Sequence, residues 1–362
     1  MYLFLLLPIL LIAADVYIFI KGKRALKAQP KSVKIIAMIL FFVCALGIVP
    51  SMMLHGRELP FGLTRFFSDL TTDWMIFVLY MTLLLLVTEI PLFFHKRLKK
   101  SFLICFVLTI CIMLGGYIHY MHPGTKVMNI VINKQVASAK KWMKVVAVSD
   151  LHLGYATDVK MLQRYVTMIN NEKPDLILIG GDLVDRSVAP LYEEPFAATL
   201  NQLKARYGIF MVPGNHDYYA NVDSCSQFVR QTSIVMLRDS VVTLRNGFQI
   251  VGRDDRSNSN RLPLETLMKR TKSSRPIFLL DHQPYELRKS GQLGVDLEFC
   301  GHTHNGQVWP FNLVEKLIFE LPYGYRQYGR TQVYVSSGLS LWGPPMRIGT
   351  QSEMLVFNLT FK

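Results

Sequence analysis

Of the nine histidines in this 362-residue chain, five follow His122, and each of those five stands just beyond an apolar run. Gly301-His302-Thr303-His304 closes the series after Leu297-Glu298-Phe299-Cys300. If that run is a strand, a straight continuation points alternate side chains the same way. Both imidazoles would then face one spot, with Gly301 free to turn the backbone. A lone His-x-His decides little; its companions decide more. Asp150 and His152 follow one apolar run, Asp182 follows Gly180-Gly181, Asn215, His216 and Asp217 follow Pro213-Gly214, and His282 follows Asp281. Imidazole and oxygen donors without a thiolate suit Mn, Fe, Zn or a similar divalent ion. The donors exceed what one ion can take, and Asp182, behind two glycines, has a carboxylate free to bridge a pair. Two ions roughly 3.5–4 Å apart acidify a bridging water and stabilise the attacking and leaving oxygens of an in-line displacement. That is the chemistry of phosphate ester hydrolysis. The departing group also needs a proton, and His216 next to Asp217 offers one.

The elements that must bring these residues together are legible around them. Lys144–Val148, Asp175–Ile179, Ile209–Val212, Pro276–Leu280 and Leu297–Cys300 read as buried strands. Met161, Leu162, Tyr165, Met168 and Ile169 recur at helical spacing, and further helices are expected at 196–206 and 264–272. Shorter strands are expected at 129–133, 233–237, 241–244 and 249–252. Strands alternating with helices predict an α/β fold whose sheet is covered by helices on both faces. In such sheets ligands bind beyond the carboxyl ends of the strands, so residues over 150 positions apart can converge.

Asp150-x-His152, Gly181-Asp182, Gly214-Asn215-His216-Asp217, His282 and Gly301-His302-Thr303-His304, in this order, resemble the calcineurin-like metallophosphoesterases over about residues 143–360. The resemblance implies a four-layer α/β/β/α sandwich. It implies one ion held by Asp150, His152, Asp182 and His304, and a second held by Asp182, Asn215, His282 and His302. His216 would contact the scissile phosphate, with Asp217 orienting it. Gly306-Gln307-Val308, Tyr334–Gly338 and Pro345-x-Arg347 resemble the bacterial membrane-associated branch. That branch includes phosphodiesterase-like proteins and, more distantly, UDP-2,3-diacylglucosamine hydrolases. It often has glycine where this chain has Asn305, which raises the question of the backbone there. Asp254-Asp255 is expected in a turn, and Phe311, Val314, Leu317, Ile318 and Leu321 in the core, with acyl-chain binding as the competing role. Arg326, Arg330 and Arg347 are candidates to grip phosphate, although a solvated arginine is the commoner case.

The first 121 residues have another character. They carry twelve Lys and Arg and five Asp and Glu, clustered between apolar stretches at 2–20, 33–54, 74–94 and 102–121. Each stretch approaches or exceeds the ~20 residues a helix needs to cross the hydrocarbon, so four transmembrane helices are expected. Lys21, Lys23, Arg24, Lys27, Lys31 and Lys34 follow the first stretch, and Lys96, Arg97, Lys99 and Lys100 the third. The second break has only Arg57 and Arg65, offset by Glu58, Asp69 and Asp73. The positive-inside rule puts the first and third breaks in the cytoplasm and both termini outside, against the later Lys126, Lys134, Lys140 and Lys141, which open a long domain. Asp15 and Glu89, inside spans, are expected to pair with polar groups on neighbouring helices. Five scattered cysteines form no disulfide framework.

The expected organisation is a membrane anchor at 1–121, a linker and first strand at 122–142, and a metallophosphoesterase domain at 143–362. The expected activity is dimetal hydrolysis of a phosphate mono- or diester, on the extracytoplasmic side of a multi-pass membrane protein, with a lipid-linked substrate in view. The alternatives are a cytosol-facing pyrophosphatase on a nucleotide-linked lipid sugar, and a receptor or scaffold with a degenerate enzyme domain. The last predicts a lost ligand, and none is missing. The modest positive charge and the expected membrane anchor argue against a nucleic acid partner.

Overall fold

The apolar runs form strands because they are buried on both sides, as parallel strands between covering layers must be. The computed structural model describes residues 2–47, 61–90, 100–137 and 141–362. They fall into two units, Met1–Ile118 and His119–Lys362. In the second unit one six-stranded sheet has the order β1-β12-β2-β3-β4-β5. Its strands are β1 (Gly124–Ile132), β2 (Trp142–Val148), β3 (Leu176–Ile179), β4 (Ile209–Met211), β5 (Ile234–Met236) and β12 (Glu353–Phe361). The other sheet has the order β10-β11-β9-β8-β7-β6. It comprises β6 (Ser240–Thr243), β7 (Gln249–Gly252), β8 (Ile277–Leu280), β9 (Leu297–Cys300), β10 (Gly324–Tyr328) and β11 (Thr331–Val335).

Alternation within each strand sorts the side chains into layers. Val145, Ala147, Leu176, Leu178, Phe210 and Phe357 of the first sheet pack against Ile250, Phe278, Leu280, Leu297 and Phe299 of the second. Val146, Val148, Ile177, Ile179 and Met211 face the other way, onto Leu162, Tyr165, Val166 and Ile169 of a helix spanning Val159–Asn171. That helix starts at Asp158, whose side chain accepts from the Met161 amide at 2.9 Å. On the far side, Val251, Ile277 and Leu279 meet Leu264 and Leu267 of a short helix, Leu264–Met268. The result is helices, sheet, sheet, helices. The expected helix at 196–206 is shorter, Phe196–Leu200, and follows a second short one, Ala189–Glu193.

The segment at 122–142 holds a strand, β1. β1 within it pairs in parallel with β12, which in turn runs antiparallel to β2. Register then aligns the strand ends that matter. Val148 is opposite Ile179, Ile179 opposite Met211, and Leu280 opposite Phe299. The loops that follow therefore leave their sheets at matched heights.

In the first unit four helices are described: α1 (Tyr2–Ala25), α2 (Lys31–Leu46), α3 (Phe61–Glu89) and α4 (Ser101–Tyr120). Among the described residues two helices, Gly62–Glu89 and Ser101–Tyr120, are long and apolar enough to cross a membrane, rather than the four expected. Over the described residues α2 has 16, short of the ~20 required; positions 48–54 of that expected span lie outside them. Arg57, Glu58, Lys96, Arg97, Lys99 and Lys140 also lie outside the described residues. Asp15 accepts from Trp74 Nε1 at 3.1 Å, and Glu89 pairs with Tyr17 and Lys21. Both carboxylates thus have partners on another helix.

Candidate metal centre

All seven expected donors meet at one edge of the two sheets. Three overlapping groups have donor atoms within 4.8 Å of one another: Asp150, His152 and His304; His152, Asp182 and His216; and Asp182, His282 and His302. Nε2 of His152 and Nε2 of His304 face each other at 3.2 Å, and Asp150 Oδ1 lies 3.4 Å from His304 Nε2. On the other side Asp182 Oδ2 is 3.1 Å from His282 Nε2, and 3.9 Å from His152 Nε2. Asn215 Oδ1 lies 2.7 Å from His302 Nδ1 and 3.2 Å from His282 Nε2. Asp182 is the residue shared by both sides.

The backbone is bent hard to achieve this. Asp150, His152, Asp182, His302, His304 and Asn305 all have positive φ, a region that side-chain-bearing residues seldom occupy and that clusters at functional sites. This corrects the straight-strand expectation for His302 and His304. β9 ends at Cys300, and the left-handed turns that follow send the two imidazoles to different donor groups. Gly301 is required by contact rather than by φ, since a Cβ there would collide with the Asp150 carboxylate. Gly214 is in the same position against Asp182. Asn305 keeps the left-handed conformation, which asparagine tolerates better than most residues.

Electrostatics suit cations. Burial lowers His152 and His302 to about 4 and holds His304 well below its ordinary value, so all three are neutral imidazoles, the form that ligates metal. His282 donates from Nδ1 to the Gly180 carbonyl at 2.8 Å, which leaves Nε2 for the site. Nδ1 of His152 and of His304 are buried and form no hydrogen bond. Two buried carboxylates and facing imidazole lone pairs repel each other unless a positive charge lies among them. The donor set, oxygen and nitrogen without sulfur, fits divalent ions on those grounds.

The sequence profile described as calcineurin-like phosphoesterase matches residues 143–306. A metallophosphoesterase of Helicobacter pylori strain 26695, named as uncharacterized, is 34% identical over 278 residues, 74% of this chain and 73% of that protein. The chain belongs to the calcineurin-like phosphoesterase family. It is a metal-dependent phosphohydrolase. The counterpart in H. pylori strain J99 is 34% identical over 68% of this chain and 66% of its own length. A zebrafish (Danio rerio) protein named as a transmembrane protein with metallophosphoesterase domain is 30% identical over 70% of this chain and 62% of its own.

Within this phosphoesterase site two roles differ from expectation. Asp217 does not touch the His216 ring. Its carboxylate accepts from the amides of Gly214 at 2.8 Å, Val184 at 3.0 Å and Leu183 at 3.3 Å, because adjacent residues on a helix face apart. Burial pushes Asp217 up to about 7. The acid beside His216 is Asp185: His216 Nδ1 donates to the Asp185 carbonyl at 2.8 Å and lies 3.6 Å from Oδ1. Burial alone would lower His216, but Asp185 and the charge of Asp182 outweigh it and raise the ring to about 9. The signal for Asp185 was the second carboxylate in Asp182-Leu183-Val184-Asp185.

Arg347 is the other. It is buried and donates to the carbonyls of His304 at 2.6 Å and Ser340 at 3.3 Å, and also to that of Ser337, so it clamps the metal turn instead of reaching for phosphate. Arg326 and Arg330 are exposed. Asp255 forms the expected turn, accepting from the Ser257 amide at 2.8 Å, and its carboxylate also holds Gln283, next to His282.

Proposed function

We propose that this chain is a membrane-anchored dimetal phosphoesterase that hydrolyses a phosphate mono- or diester, lipid-linked, on the extracytoplasmic side. The observation that carries the dimetal reading is the Asp182 carboxylate, shared between two donor groups. Asp150, His152, Asp182 and His304 would hold one ion, and Asp182, Asn215, His282 and His302 the other, with Mn, Fe or Zn as the fitting metals. Such a pair, when bound, supplies the charge that activates water and stabilises both oxygens of an in-line displacement.

The side chains do the rest. Asp182 Oδ1 accepts from the His216 amide at 2.8 Å, so the carboxylate shared by the two donor groups also sets the start of the helix that carries His216. With Nδ1 committed to the Asp185 carbonyl, His216 presents Nε2, the atom able to donate a proton to a phosphoryl or leaving oxygen. Trp342, half-exposed, and Tyr219, largely exposed, flank that ring at 6.2 and 5.4 Å and form an apolar rim where a substrate would enter.

The chemistry is tested by Asp182→Ala in the purified full-length chain, assayed with a chromogenic phosphodiester and Mn. A loss of ~1,000-fold or more is expected, since one carboxylate serves both sides. Undiminished hydrolysis would overturn the reading. Sidedness rests on the lysines that follow α1, and Cys225 is buried, so its test is impermeant labelling of an introduced cysteine, Gln327→Cys, in intact cells. Protection of that cysteine would favour the cytosol-facing pyrophosphatase.

A further inference from the structure

The helix that follows the metal turn, Phe311–Ile318, is inside out. Phe311, Leu313, Val314, Leu317 and Ile318 all point to solvent, with Leu317 88% exposed. This corrects the expectation that these residues pack in the core; of that set only Leu321 does. The residues turned toward the protein are instead Asn312 and Glu315, one helical turn apart. Asn312 Oδ1 and Glu315 Oε2 are buried there and form no hydrogen bond. Spacings of three, four and seven join the outer residues into one apolar stripe, extended by the half-exposed Trp309. In water such a helix is arranged against its own solvation.

The same segment is built into the metal motif. A Cβ on Gly306 would collide with the backbone of Phe311 and Asn312, so the first turn of the helix lies on the turn that carries His304. Just past the helix, the Phe319 ring meets the His302 ring edge-on at 5.8 Å, and Pro322 accepts from Thr303 Oγ1 at 2.6 Å. Nearby in sequence, α4 ends at Tyr120 and only Met121–Pro123 separate it from β1. Tyr120 and Met121 already belong to the second unit, where Tyr120 is buried within 3.1 Å of Ser340 Oγ and Arg164 donates to the Met121 carbonyl at 2.8 Å. A catalytic unit joined to a membrane-length helix by three residues of chain has a lipid surface within reach.

We propose that the outer face of Phe311–Ile318 is an interfacial lipid-docking surface that seats the metal centre at the bilayer. Tryptophan at the edge of an apolar patch and the exposed Lys316 suit the boundary between acyl chains and head groups. The inference rests on the membrane anchoring proposed above, and the experiment separates the two. The full-length chain is reconstituted into phosphatidylcholine vesicles containing brominated lipid, and single cysteines carry an environment-sensitive fluorophore. The exposed native Cys111 on α4 reports anchoring. With Cys44 and Cys111 replaced by serine, Leu317→Cys reports docking and Gln231→Cys serves as an exposed reference. The expected result is at least twofold quenching at Cys111 and at position 317, and little at 231. Quenching at Cys111 but no more at 317 than at 231 overturns the docking surface alone. A position-317 label that is shielded yet unquenched assigns the face to protein, such as a second copy, and also overturns it. Absence of quenching at Cys111 removes the anchoring and, with it, the proposal.

Discussion

Two neighbouring regions of the catalytic unit reverse the usual placement of polar and apolar groups, and they do so in opposite directions. At the strand ends, Asp150, His152, Asp182, His282 and His304 are buried carboxylates and imidazoles crowded together. Seven to fourteen residues on from His304, Phe311, Leu313, Val314, Leu317 and Ile318 are apolar side chains in the open. The first reversal is largely answered from within: backbone amides and carbonyls orient the donors, and what is left over is negative charge and lone pairs. The second is answered by nothing among the described residues. A buried polar cluster calls for cations and an exposed apolar stripe calls for an apolar medium, and the two meet at Gly301–Gly306. The difference shows where each partner must come from.

The sharpest way to break the polar side of this comparison is to remove its donors singly. His302→Ala and His304→Ala are each expected to lower bound metal from two ions per chain to about one, and the double variant to none, with activity falling at least ~100-fold in each. Metal content is read by mass spectrometry after desalting. If either single change empties both positions, the two histidines do not serve different ions. Asp185→Asn is a milder cut. It leaves the donor set whole, so metal content and KM should hold while kcat falls ~10–100-fold, the range for a residue that acts through another. Asp217→Asn should show its effect chiefly in thermal stability. Equal kcat losses in the two variants would return Asp217 to the role of orienting His216.

On the apolar side, the double variant Leu317→Asp, Ile318→Asp should fold, since both side chains are exposed. In proteoliposomes its turnover of dodecyl p-nitrophenyl phosphate is expected to drop ~10-fold, the scale of losing one or two buried aliphatic side chains, and that of the methyl ester less than ~2-fold. Equal losses on both esters would place the stripe in the fold rather than at a lipid surface.

How much of this could be read from the sequence follows from the range of the forces involved. The donors were legible because each is announced locally, by an apolar run and a glycine or turn just before it. The layers were legible for the same reason. What escaped depends on contacts between distant positions. β12, at the end of the chain, lies between β1 and β2 and pairs with both, and nothing in Glu353–Phe361 alone gives that order. Asp217 stands next to His216 in sequence, yet Asp185, 31 positions away, is its neighbour in space. Phe311–Ile318 has an apolar stripe, and periodicity tells that a stripe exists without telling whether the fold or the solvent faces it.

A third buried group tests whether charge burial is tolerated only where cations can answer it. Glu298 lies in the middle of β9, fully buried, held by the Ser290 hydroxyl, and burial raises it from the ordinary 4.5 to about 8. It is thus neutral in the folded protein at pH 7, while the unfolded chain has lost that proton. Between about pH 4.5 and 8 the folded state binds more protons than the unfolded one, so stability falls as pH rises. The contribution is fully present below 4.5 and is gone above about 8, a change on the order of 2–5 kcal/mol. Glu298→Gln keeps the shape and an acceptor for Ser290 but cannot ionise. Melting temperatures of the two proteins at pH 5, 7 and 8.5 should diverge, with the variant gaining several degrees relative to the parent toward alkaline pH. Parallel curves would mean that Glu298 is already charged in the fold, and that this site, like the metal centre, has found a counter-charge.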